Sequence, residues 1–145
     1  MAGGKHMYKE ERNEVTINLP YQIGEVVKTY QNGQRFTDKV RQYVISDEIN
    51  VILDVNCEEN NQMPPIELKE FRKQWEAEER KQPMVIELPY AVDTAVKSGN
   101  LSGKIFSYTV SDDKTTVIVH LKKEGRSKLS NPIELEEFKK DWKKA

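Results

Sequence analysis

"PIELKEFRKQW" spans Pro65–Trp75 and "PIELEEFKKDW" spans Pro132–Trp142. Eight of the eleven positions are identical, which chance does not supply in a chain of 145 residues. Leu68, Phe71 and Trp75 fall at i, i+3 and i+7, and so do Leu135, Phe138 and Trp142. That spacing predicts one apolar stripe along a helix. Asn131-Pro132-Ile133-Glu134 reads as an N-cap, a first-turn proline and a glutamate near the capping-box position. Glu134, Glu136 and Glu137 sit at the start and Lys139, Lys140, Lys143 and Lys144 towards the end, which complements the helix dipole.

The match extends upstream. "INLPY" (Ile17–Tyr21) answers "IELPY" (Ile86–Tyr90), 69 residues on, and Val27-Lys28 answers Val96-Lys97 at the same offset. "YVISD" (Tyr43–Asp47) answers "YTVSD" (Tyr108–Asp112), 65 on, and Val51-Ile52 answers Val117-Ile118, 66 on. The offset changes only between matched blocks, in polar or glycine-containing stretches such as "QNGQ", where surface loops tolerate insertion. The chain therefore reads as a tag remnant and flexible N-terminus over 1–14, a first repeat over 15–80 and a second over 84–145. Two repeats are too few for a solenoid. A unit of this size is near the lower limit for folding alone. The short, charged connection "EERKQP" predicts two units packed together, related by a pseudo-two-fold, as in a homodimer fused into one chain.

Within a unit, Val15, Ile17 and Leu19 alternate, as do Met84, Ile86 and Leu88, which predicts a half-buried strand ended by Pro20 or Pro89. Ile23, Val26 and Val27, like Val92, Ala95 and Val96, have helical spacing, and Gly99 follows as a stop; a two-turn helix is expected. Gly24 and the adjacent valines would also suit a strand. Tyr43 and Ile45 lead through an Asp-containing turn into Val51, Leu53 and Val55, and Phe106, Tyr108 and Val110 into Val117, Val119 and Leu121. Both read as hairpins. The predicted fold class is α+β: two tandem copies of a β–(short α)–β–β–α unit, each hairpin covered by its Leu-Phe-Trp helix.

Composition narrows the class of function. Charged residues make up 32% and hydrophobic residues 37% of the chain, and net charge is −1, so no global field favours nucleic acid or a membrane. No apolar run approaches the roughly 20 residues of a membrane helix. "MAGGKHM" reads as a cloning remnant, leaving His120 as the one natural histidine. A single cysteine, Cys57, fits a reducing compartment, and a cytoplasmic protein is expected.

Catalytic patterns are sparse. Cys57 has only His120 as an imidazole partner, and no G-x-S-x-G or phosphate-loop spacing occurs; "SGNLSGK" lacks the required pattern. Asp47-Glu48 and Asp112-Asp113 fall in hairpin turns, where Asp serves the turn itself, and Glu58-Glu59 reads as a solvated pair. Asp54 and His120 occupy matching strand positions, so a pseudo-two-fold could pair them. The tryptophans read as core, as do Tyr21 and Tyr90. No catalytic residue, cofactor site or metal site is assigned.

Residues that differ between the repeats are where a function particular to this chain could sit. Before the closing helix the first repeat carries "NCEENNQMPP", net −2, and the second carries "KKEGRSKLSNP", net +3. Residues 15–83 hold nine basic and twelve acidic side chains, and 84–145 hold eleven and nine, so the halves carry −3 and +2. Lys122, Lys123, Arg126 and Lys128 are therefore the candidate partner-binding residues. The expected function is a non-catalytic protein-binding module, monomeric or homodimeric, with another protein as partner and no membrane. The alternative is a nucleic-acid-binding module using the same basic loop, and the third reading is a small enzyme with its site between the repeats.

Overall fold

The computed structural model describes residues 14–54, 65–79, 81–112, 114–123 and 125–145. Strand β1 (Val15–Leu19) alternates as expected, half-burying Val15 and Ile17 and burying Leu19. After Pro20 the chain turns through Gly24, whose φ of +91° is left-handed backbone that glycine adopts without steric cost. The residues beyond it form strand β2 (Val26–Gln31), which corrects the two-turn helix expected there. A helix cannot propagate through a left-handed residue, and the β-branched pair Val26-Val27 suits a pleated surface. Asn32 and Gly33, both at positive φ, make the two-residue turn into β3 (Gln34–Ile45).

Strand β4 (Ile49–Leu53) returns along β3, and the short strand β5 (Ile66–Glu67) lies against β4. Helix α1 (Leu68–Gln74) follows, and β6 (Glu76–Ala77) pairs with β2. The order is thus β6-β2-β3-β4-β5, and α1, joining β5 to β6, bridges the two edges. A sheet curled in this way has an inside. Val27, Val40, Tyr43, Val51 and Leu53 point there with Phe71 from the helix, each no more than 2% exposed.

The second half opens with β7 (Met84–Leu88), antiparallel to β1 with Ile86 opposite Ile17. Its turn holds Asp93 at φ +80°, and strand β8 (Ala95–Ser98) replaces the second expected helix. Strands β9 (Leu101–Val110) and β10 (Thr115–Lys123) form the long hairpin, and β11 (Arg126–Leu129) folds back on β10. Then come β12 (Ile133–Glu134) against β10, helix α2 (Leu135–Asp141), and β13 (Lys143–Lys144) against β8. Apart from β11, the order is β13-β8-β9-β10-β12 with α2 as the bridge. The halves also meet through β3 and β9, where Tyr43 faces Val110 and Ile45 faces Tyr108. The result is a sheet-rich α+β fold with two short helices among the described residues, and one core cluster draws side chains from both halves.

The closing helices start later than the sequence pattern implies. Their N-cap positions are Glu67 and Glu134, not Asn131, and neither makes a side-chain cap bond. Ile133 and Glu134 instead pair with Val117 and Thr116, so their backbone is committed to the sheet before the helix begins. The apolar stripe survives. Phe71 and Phe138 are fully buried, and their rings stack on Trp75 and Trp142 at 5.8 and 6.0 Å. Tyr21 and Tyr90 pack edge-on against the same phenylalanines.

Candidate functional site

The basic residues of the second half lie on a β-hairpin rather than the loop expected from sequence. Strand β10 runs on to Lys123, and β11 returns with Lys123 opposite Arg126, Lys122 opposite Ser127 and Leu121 opposite Lys128. Gly125, just before β11, is at φ +77°. A glycine at such a position is the usual signature of a tight hairpin, and it could have exposed β11 in the sequence. The "RSKL" stretch hides the strand because all four residues are exposed, so no alternation of apolar residues marks it.

The hairpin is anchored at its base. β9 and β10 slip register between Ile118 and Val119, a bulge that breaks the ladder. Ser130 repairs it: the Val119 N–H donates to Ser130 Oγ at 3.0 Å, and the Ser130 N–H donates to the Val119 carbonyl at 2.8 Å. Opposite the hairpin stands the β8–β9 turn, with Gly99 at φ +59° and Leu101 43% exposed.

Between turn and hairpin is a cavity of about 630 Å³, lined by Asn100, Leu101, Leu121, Lys122, Arg126, Ser127 and Lys128. Its apolar part comes from the two leucines. Lys122, Arg126 and Lys128 are exposed, and none of them forms an ion pair among the described residues. Three candidate residues are thus brought to one groove. Lys123 belongs to the same hairpin by register. Cations over a partly apolar groove can hold a carboxylate or phosphate while the leucines take up an apolar side chain.

The other sequence candidates disperse. Asp54 and His120 do not pair, which corrects that expectation. The Asp54 N–H bonds the Lys39 carbonyl at 2.8 Å, while His120 packs edge-on against Phe106 at 6.4 Å. Asp54 instead stands near Asp38, whose carboxyl is raised above the usual range by burial, opposed by a hydrogen bond from the Lys39 N–H and reinforced by Asp54. The halves join through β1–β7 and β3–β9, which leaves the returning strands β4 and β10 unpaired with each other. Asp47 and Glu48 are exposed turn residues, and so is Asp112. Cys57, Glu58, Glu59 and Asp113 lie outside the described residues. Among the described residues no group of three or more His, Cys, Asp or Glu side chains could hold a metal ion, and no helix is long and apolar enough to cross a membrane. Sequence reasoning passed over Glu25, which is only 3% exposed and lines a cavity beside Trp75. No family model, curated protein or solved structure matches the chain.

Proposed function

We propose that the chain is an internally duplicated binding module whose second half engages an acidic partner protein in the groove between the β8–β9 turn and the β10–β11 hairpin. The observation that carries this reading is the set of three exposed cations, without ion-pair partners among the described residues, around Leu101 and Leu121. Surface charges gain little by themselves, so the cations steer and orient, and the leucines supply the apolar contact that holds.

The duplication is supported by strand register. Val15 opposite Leu88 maps onto Met84 opposite Leu19 when each residue is exchanged for its sequence match, and Ile17 opposite Ile86 lies at the centre. Tyr43 opposite Val110 maps in the same way onto Tyr108 opposite Ile45, around Val44 and Thr109. Such self-complementary pairing is what a two-fold interface produces. The basic sequence of the hairpin departs from this correspondence, since the matching stretch of the first half, "NCEENNQMPP", holds two acidic and no basic side chains, and a feature the repeat does not require is a place for a particular function.

The test is amide chemical-shift mapping with two probes, a glutamate-rich peptide carrying leucines and a single-stranded oligonucleotide. The peptide is expected to shift the amides of Leu101, Leu121, Lys122 and Arg126–Leu129. Joint reversal of Lys122, Arg126 and Lys128 to Glu should abolish this. Peptide binding that survives the reversal removes the groove from consideration. An oligonucleotide that binds more tightly, with affinity falling steeply as salt rises, replaces the reading with nucleic-acid binding.

A further inference from the structure

We propose that the cavity beside Trp75 in the first half binds a small zwitterion, an aliphatic amine that also carries a carboxylate, with Glu25 as the seat of the ammonium. The site is separate from the cationic hairpin and does not depend on the function proposed for it. The cavity measures about 660 Å³, and Tyr21, Glu25, Arg72, Trp75 and Lys81 are among the residues lining it. Glu25 is 3% exposed. Its Oε1 accepts the Gln22 N–H at 2.7 Å, and among the described residues no second donor and no ion-pair partner reaches the carboxylate. A carboxylate can accept about four hydrogen bonds, and a buried one left with a single donor is costly.

The turn does not require that carboxylate. Thr94 holds the corresponding position 69 residues on, in a turn with the same backbone bond: the Glu25 N–H donates to the Gln22 carbonyl at 3.1 Å, and the Thr94 N–H donates to the Ala91 carbonyl at 3.2 Å. Glu25 is therefore a feature of the first half alone. Tyr21 and Trp75 add ring surface, which attracts an ammonium. The charged groups gather tightly enough to act on one phenol: burial raises the Tyr21 pKa, Arg72 opposes, and Glu25 and Glu76 add to the rise.

The charge pattern selects a zwitterion over a bare cation. Exposed Arg72 and Lys81 line the same cavity and would repel a cation bearing no anionic group. They can hold a carboxylate a short distance from the ammonium on Glu25. Glu76, the other acid there, already faces Lys28 at 3.8 Å.

Titration of the full chain with L-leucine, followed at the tryptophan indole N–H signals, tests the assignment. The Trp75 signal should move saturably at millimolar ligand, while Trp142 serves as a silent control in the same spectrum. Glu25→Gln should weaken binding about tenfold or more. Glu25→Thr, which copies the other half and so preserves the turn, should do the same with far-UV circular dichroism unchanged. Leucinamide, lacking the carboxylate, should bind more weakly, and Arg72→Gln should erase that difference. An unmoved Trp75 signal overturns the proposal, as does an affinity that both Glu25 variants retain. Leucinamide binding as tightly as leucine overturns the zwitterion.

Discussion

Tyr43 holds two backbone groups that would otherwise be stranded in the core. Its hydroxyl donates to the Tyr21 carbonyl at 2.7 Å and accepts the Tyr21 N–H at 3.0 Å. Tyr108 donates to the Tyr90 carbonyl at 2.6 Å. Tyr43→Phe should therefore cost about 1–3 kcal/mol and Tyr108→Phe about 1 kcal/mol, read from urea unfolding. Burial, opposed by those hydrogen bonds, lifts both phenols well above the ordinary tyrosine range. Below about pH 10 the two are protonated in both folded and unfolded chains. Above it the unfolded chain releases protons that the folded chain keeps, so stability falls as pH rises. In an alkaline titration at 295 nm, both phenols should stay silent until the chain unfolds. Tyr43 was legible in sequence as an inward strand residue. Its hydroxyl partner, 22 residues away and just past the end of β1, depends on where the chain after Pro20 packs, and nothing local encodes that.

Strand pairing sets the tolerance of each element to change. Gly103 faces Leu121 across β9 and β10, and a Cβ there would sit 2.4 Å from the His120 carbonyl oxygen. Backbone cannot swing aside as a side chain can. Gly103→Ala should cost at least about 1–3 kcal/mol and loosen the hairpin base, seen as a lower urea midpoint and faster amide exchange in β10. Charge pairing differs between the halves: Lys28 faces Glu76 across β2 and β6, whereas Lys97 faces Lys143 across β8 and β13. Like charges directly opposite each other are unfavourable. Lys143→Glu should raise stability by about 0.2–1 kcal/mol, and high salt should shrink the gain. Strands β1, β3, β4, β7, β9 and β10 and the closing helices were readable because their apolar spacing is regular, whereas β11 and the two-residue strands carry too little apolar alternation to show. The stretches after Pro20 and Pro89 misled because spacing alone fits a helix, while the left-handed backbone at Gly24 and Asp93 rules one out.

The two halves share strands as well as core, so neither is expected to stand alone as a monomer. Among the described residues β1 pairs with β7 alone and loses that partner if β7 is removed, and β3 loses β9. If the pairing descends from a two-fold dimer, residues 84–145 expressed alone should be folded only as a homodimer, with β7 on β7 and β9 on β9. Sedimentation against concentration checks this. A stably folded monomer of that fragment would contradict the proposed duplication.

Taken without coordinates, the sequence determined that the phrase Pro-Ile-Glu-Leu…Phe…Trp recurs 67 residues apart at an apolar spacing that suits a helix, and that residues 84–145 carry the excess of positive charge. These features follow from local spacing and composition, which neighbours along the chain can express. Tertiary structure alone decided which strands join the halves, that Lys122, Arg126 and Lys128 line one groove with Leu101 and Leu121, and that Glu25 is buried beside Trp75. Each is a contact between residues far apart in the chain, set by strand register and the curl of the sheet.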